Sequence, residues 1–539
     1  MPRVFLADPE IDTLLRSSIA LRRPFAAARR PSVPSRALAL ALTLPLVLGG
    51  CGAFRSYRAE MDETLNRAAA GDVPGAIKQL NKNNDASKKD MLYFMELSEL
   101  RRLSGDYKGS FAALQQADAE VQAWEAAARL DPGRSVGQAG SFIVNDRVRT
   151  YEGHDYEKVM ITTRMAMDHL AQGDIDNARV EIKRTHERED LIAEIRSKEY
   201  LRVEEQARNR GTKASMTEIA GYPVQTLDSP DVNELRNGYQ NALSHYLAGF
   251  IYESLGETSL AAPGYRKAIE LRPGQPVLEQ SLGELDTRVS AGDDGHCDTL
   301  IVIETGSIPG RISQNFNLPI PIVNHGAFLN VPISFPVLPN AAIAFQAPDV
   351  LVDRTTTLPT AHVLNLDAMA RRALKDEMPG IVLRAVVRAT TKATAQYELQ
   401  RQMAQKSRKQ EDALGAALAL FAFQVGGMVL EQADERGWRT LPGQVSVARQ
   451  RLAKGKHQID VRTESGTSQF EVNLTGRHAL VAVRLFRGRG FVSLPPDAQV
   501  APASKEAALP ASGDAAQPMY AEVRVVDFPP SSLSRRSQQ

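Results

Sequence analysis

The sequence predicts a mainly α-helical chain that turns α+β in its second part: a superhelix of paired helices, then a β-containing domain with one buried apolar helix. Three observations predict this. Apolar residues recur at three-to-four spacing over residues 61–290, a Gly-acid signature repeats inside that stretch, and alternating, β-branched segments take over after Gly292. At 539 residues, 43% of them hydrophobic and 24% charged, the chain is long enough for two or three domains.

The first element is a leader. Arg22, Arg23, Arg29, Arg30 and Arg36 precede a largely apolar segment of twelve residues, Ala37–Leu48, too short to span a bilayer. Leu48-Gly49-Gly50-Cys51 closes it and resembles the bacterial lipobox, in which two small residues precede a lipid-modified Cys. This makes residues 1–50 a signal peptide, Cys51 the lipidation site and membrane contact, and residues 51–60 a tether. Residue 52 is Gly, not the Asp that retains enterobacterial lipoproteins in the inner membrane, so the resemblance implies sorting to the periplasmic face of the outer membrane.

Charge and cysteines narrow the class further. Seven Arg against Asp8, Glu10 and Asp12 give residues 1–50 a charge of +4, so a total of +1 leaves −3 elsewhere. No concentrated basic face for nucleic acid results. With Cys51 lipidated, Cys297 is the remaining thiol and an intramolecular disulfide is impossible. Its neighbour His296 is too close in sequence to share a catalytic geometry with it, so Cys297 reads as a structural residue at a strand start.

Within residues 61–290, Gly71-Asp72 is followed by Ala76, Gly105-Asp106 by Ser110, Gly173-Asp174 by Ala178, and Gly256-Glu257 by Ala261. Gly plus an acid suits the turn between two helices, and a small residue five positions on lets the second helix pack closely. The spacings resemble the tetratricopeptide repeat, best in Ala242–Pro273, where Gly249, Tyr252, Ala261, Tyr265, Ala268 and Pro273 take the repeat's preferred positions. Such an array binds a partner on its surface, with Tyr246, Tyr252 and Tyr265 as candidate contacts. The densely charged Arg179–Arg210 reads as a long exposed or coiled arm. His186, Glu187 and Glu189 lack the second His four residues on that a zinc site needs, so they read as a solvated face.

Thr299–Arg311 reads as a buried strand and turn, and Asn315–Leu338 as β segments that Pro keeps short and at edges. His457–Gly488 alternates apolar and polar residues, with turns at Gly466 and Gly476. Helices at Asp367–Lys375 and Ala385–Arg408 lie between, followed by Ala413–Leu430, which has no charge. There Gly415, Ala419, Ala422 and Gly426 form one smooth stripe, which favours the buried helix of the 297–494 domain over a membrane span. Residues 495–539 are rich in Pro, Ala and Ser and predict a largely disordered tail.

No phosphate loop, nucleophile elbow, Cys pair or two-His helix is present, so no catalytic residue, cofactor or metal is expected. The most individual stretch is Glu431–Ile459, with Asp434, Arg436 and Trp438. They read either as an ion pair beneath an indole, locking helix to strand, or as a partner-binding site. Together with "ETGSIPGR" (Glu304–Arg311) and "RAVVRATTKA" (Arg384–Ala393), the stretch resembles a functionally uncharacterised bacterial lipoprotein family with N-terminal tetratricopeptide-like helices and a C-terminal α+β domain. The resemblance implies a secreted lipoprotein in envelope assembly, near regulators of peptidoglycan synthesis and lipoprotein channels. The expected function is a lipid-anchored periplasmic scaffold that binds envelope or peptidoglycan-associated proteins. The alternatives are a cell-wall hydrolase using Asp434 or Glu304 as its acid, and an accessory subunit of an outer-membrane assembly or channel.

Overall fold

The computed structural model describes residues 56–130, 150–209, 219–322, 327–339, 347–406, 432–463, 466–486, 489–493 and 526–527. The leader, Cys51, the apolar run 413–430 and all of the tail except Val526–Asp527 lie outside these. The described residues, all from Ser56 onward, form one compact unit. It is α+β, as the sequence predicts.

Helices come in antiparallel pairs: α1 (Tyr57–Ala69) with α2 (Val73–Asn83), α3 (Met91–Leu103) with α4 (Tyr107–Leu130), α5 (Asp155–Ala171) with α6 (Ile175–Asn209), and α7 (Ala242–Ser254) with α8 (Thr258–Leu271). Each pair turns at one of the four Gly-acid sites, whose glycines have φ of +84°, +75°, +77° and +76°. That left-handed backbone ends a helix at little cost only for Gly. Asp72, Asp106 and Asp174 then accept the backbone N–H three residues on and start the next helix. Ala76, Ser110, Ala178 and Ala261 are fully buried where the partners touch. In the last pair a Cβ on Gly264 would lie 2.7 Å from the Gly249 nitrogen, so these two backbones meet without side chains between them.

After α9 (Pro276–Gly283) and α10 (Leu285–Ser290) comes a central sheet. Its strands are β1 (His296–Thr305), β6 (Ala361–Asn365), β7 (Gln444–Ala453), β10 (His478–Phe486) and β11 (Arg489–Ser493), in the order β11-β10-β1-β7-β6, with β12 (Val526–Asp527) also on β10. β1 and β10 are parallel and the other pairs antiparallel. The pleat sorts β1 in two: Leu300 and Val302 join the core of the helices, whereas Cys297, Ile301 and Ile303 join a second core. That second core lies against a sheet of β4 (Asp349–Val352), β5 (Thr356–Leu358), β8 (Gly455–Thr463) and β9 (Gly466–Leu474). The layers are therefore helices, mixed sheet, antiparallel sheet. Cys297 is buried at the second position of β1, as expected.

Three sequence expectations change. β2 (Ile312–Ile322) and β3 (Ala327–Val337) are not short but pair along eleven residues each as a separate ribbon. Pro319, Pro332 and Pro336 all occupy the same alternate set of pairs, the set whose N–H positions point away from the partner strand, so no ladder bond is lost. The two helices expected after residue 366 are one, α11 (Leu366–Lys406), which runs through Pro379 because Met378, Ile381 and Val382 bury on either side of it. The charged arm is α6, and its inner face is buried: Arg188 reaches Asp118 at 2.7 Å and Glu125 at 2.6 Å. Among the described residues no helix is long and apolar enough to cross a membrane.

Candidate functional site

Trp438 and its neighbours are held by two buried glutamates from the helices. Glu96 of α3 accepts the N–H of Arg439 at 2.7 Å and of Thr440 at 3.0 Å, and the Tyr57 hydroxyl at 2.6 Å. Glu157 of α5 accepts the Trp438 N–H at 2.7 Å, the His154 N–H at 2.9 Å and the Tyr151 and Tyr156 hydroxyls. Burial raises Glu96 to about 6 even though all these donors favour its charged form. Trp438 is fully buried, and its indole N–H donates to Thr440 Oγ1 at 3.1 Å. Asp434 and Arg436 form the expected ion pair, at 2.7 and 2.8 Å, but the guanidinium lies over the Tyr151 ring, not beneath the indole. Trp438 thus packs the segment before β7 against the helices and presents no exposed surface.

Beside this clamp lies a cavity of about 670 Å³. Its wall joins distant parts of the chain: Trp124 of α4, His154 and Asp155 at the start of α5, Tyr200 of α6, and Glu377 of α11, with Arg311 and Asp434 from the loops. His154 Nδ1 lies 2.8 Å from Glu377 Oε1, and Arg311 donates to Glu377 Oε2 at 3.1 Å. Burial would raise Glu377, but His154 and Arg311 outweigh it and hold the carboxyl well below the usual range. For His154, burial and Arg311 act downward, yet Glu377 and Glu157 prevail and raise it. Asp155 receives Arg196 at 2.5 and 2.9 Å and Lys158 at 3.2 Å; against burial, these cations hold it at about 2. The Lys158 ammonium also sits 3.8 Å from the Trp124 ring centroid. Asp376 pairs with Arg372 at 3.0 Å, and Lys375 with Asp228 at 2.6 Å. The wall is therefore built of cation–carboxylate pairs interleaved with aromatic rings.

Other sequence candidates fall elsewhere. Tyr246 and Tyr265 are fully buried, Tyr246 bonded to Ser281 Oγ at 2.7 Å and Tyr265 donating to Glu253 at 2.6 Å, so neither meets a partner. The repeat positions they occupy point inward because α7 and α8 are covered by the sheet layer. Tyr252 is half-buried against the same core. Glu304 is buried and ion-paired to Arg164, which lowers it despite burial, so it has no proton to deliver as an acid. His186 and Glu189 are not on a solvated face: His186 stacks on His245 at 4.3 Å, and Glu189 lies 3.0 Å from His245 Nε2. Burial lowers both imidazoles to about 4 and raises Glu189 to about 8. Glu253, Asp298 and His478 converge within 4.8 Å, but Arg288 and Arg449 already neutralise the two carboxylates.

Sequence reasoning missed His154, Asp155, Glu157 and Glu377. A signal existed in "GHDYEK", Gly153–Lys158, where five consecutive ionisable residues crowd the start of a helix.

Fold and site together define a three-layer α/β/β protein with a polar, aromatic-lined cavity where its helices meet the β2–β3 ribbon. No protein-family model, curated protein or solved structure matches the chain.

Proposed function

We propose that this chain is a lipid-anchored binding protein of the bacterial envelope, a scaffold that recruits and does not catalyse. Cys51 anchors it at the periplasmic face of the outer membrane, and the helical pairs form a degenerate tetratricopeptide superhelix. The observation that supports the reading is the pairing inside the cavity. Catalytic acids and bases work with a poised, transferable proton, whereas His154, Asp155, Glu377 and Asp434 each already hold an opposite charge. Such a wall is pre-organised for recognition. The binding surface thus moves from the buried Tyr246 and Tyr265 to the cavity and its rim.

The test is capture from detergent-solubilised envelopes, comparing wild type with Ala193→Trp, which places an indole into the cavity from α6. Defined partners bound by wild type and lost in the variant are expected. Partners that bind both equally, or release of fragments when the protein meets purified peptidoglycan, would overturn the reading. Cys51→Ser is expected to leave the membrane fraction; retention there would contradict the anchor.

A further inference from the structure

The cavity's composition narrows what it takes. Among the described wall residues, Glu377 faces two cations, His154 and Arg311. Asp155 is shared by Arg196 and Lys158, and Arg196 also meets Glu199. Asp434 holds Arg436. An ionic ligand settling on these pairs has to break one that is already made and leaves one charge desolvated without a partner, while the exposed Glu152 carboxylate on the same lining repels an anion. A neutral ligand rich in hydroxyl and amide groups meets no such cost. Paired carboxylates keep lone pairs that accept O–H donors, and paired guanidiniums keep N–H groups that donate to hydroxyl or carbonyl oxygens.

Rings complete the pattern. Trp124, Tyr200 and Tyr239 line the same cavity, each with part of its surface exposed, and they come from α4, α6 and the loop before α7. Aromatic faces beside hydrogen-bonding groups suit a pyranose, whose axial C–H bonds form an apolar face and whose rim is polar. A volume of about 670 Å³ lies within the range of pockets that enclose ligands of several rings.

We infer that the cavity is a saccharide site for an uncharged, N-acetylated or otherwise neutral oligosaccharide, held by stacking on Trp124, Tyr200 and Tyr239 and by hydrogen bonds to charge pairs that stay intact. This rests on the binding-protein reading above and names its ligand class. An anionic saccharide and an extended peptide are the competing occupants.

The chain has two Trp, and only Trp124 lines the cavity, Trp438 being fully buried. Emission therefore reports occupancy directly. In the full mature chain, titration with tri-N-acetylchitotriose is expected to shift Trp124 emission saturably. Affinity should change less than twofold between 0.05 and 0.5 M NaCl, values chosen to span strong and weak screening at roughly 14 and 4 Å Debye lengths. A trisaccharide carrying uronic acids should bind at least about tenfold more weakly, the scale of one uncompensated charge. Tyr239→Ala should weaken chitotriose about tenfold, with near-UV circular dichroism unchanged; Trp124→Phe should remove the emission change while calorimetry still shows binding. Tighter, salt-sensitive binding of the uronic acid overturns the proposal, as does a heat signal with a neutral peptide such as tetra-alanine but none with chitotriose. Absence of chitotriose binding up to millimolar concentration also overturns it. Partner capture sensitive to Ala193→Trp would then leave the binding-protein reading standing, so the two failures are separable.

Discussion

Replacing Glu157 tests the clamp that ties the segment before β7 to the helices. Its Oε1 accepts from the Trp438 N–H and Tyr156 hydroxyl, and its Oε2 from the His154 N–H and Tyr151 hydroxyl. In Glu157→Gln one oxygen becomes NH2, and either orientation of the amide turns it against a backbone N–H, that of Trp438 or that of His154. One buried donor is then left unmade at about 1–3 kcal/mol, and the surviving bonds lose their charge assistance. The expected loss is about 3 kcal/mol. Glu157→Ala strands both N–H groups and opens a gap, for about 5 kcal/mol. Urea unfolding of the Trp124→Phe background, followed by Trp438 emission, reads both values. A Gln variant within about 0.5 kcal/mol of the parent, the usual range of neutral surface changes, would refute the reasoning. So would an Ala variant no less stable than Gln, since the account makes the orphaned donors the source of the cost.

Three other outcomes follow from particular contacts. Glu189 is raised to about 8 by burial, so folding retains its proton between the unfolded carboxyl value and pH 8, and stability falls as pH rises through that window. Glu189→Gln, which mimics the protonated acid beside His245, is expected to abolish the decline between pH 6 and 8.5, a range set about the shifted value; the same alkaline slope in denaturation curves of the variant would refute this. The imidazoles of His186 and His245, lowered to about 4, act oppositely and reduce stability as pH falls below their unfolded value of about 6.5. Gly264→Ala would place its Cβ 2.7 Å from the Gly249 nitrogen and force α7 from α8. A loss of about 2–3 kcal/mol in urea unfolding is expected, in the range of overpacked core substitutions, and an unchanged midpoint would contradict the close approach.

What could be read from the sequence was local. Gly71, Gly105, Gly173 and Gly256 signal their turns because a left-handed residue and an adjacent acid act within five positions. Ile301 and Ile303 signal a strand through the pleat's own period, and Cys297 fits it. What stayed hidden depends on partners far away in the chain. Arg188 looks solvent-bound until Asp118 and Glu125 of α4 are beside it, and His186 until α7 brings His245. Tyr246 and Tyr265 look like repeat-surface residues until the sheet covers them. Pro379 and Gly380 suggest a break, but packing on both flanks carries α11 through. The cavity draws on positions from Trp124 to Asp434, a separation no motif spans, so apart from Asp434, already a binding candidate in the sequence, only its charged corner at Gly153–Lys158 left a trace.

Site-specific photo-crosslinking in growing cells tests the central claim, that the cavity is where this protein holds what it binds. Benzoylphenylalanine replaces Tyr200, which lines the cavity, or Lys198, exposed on the same helix but outside it. Illumination is expected to give discrete adducts from position 200 and none from position 198, and Ala193→Trp should remove them. Equal adducts from both positions, or none from position 200, would contradict the account.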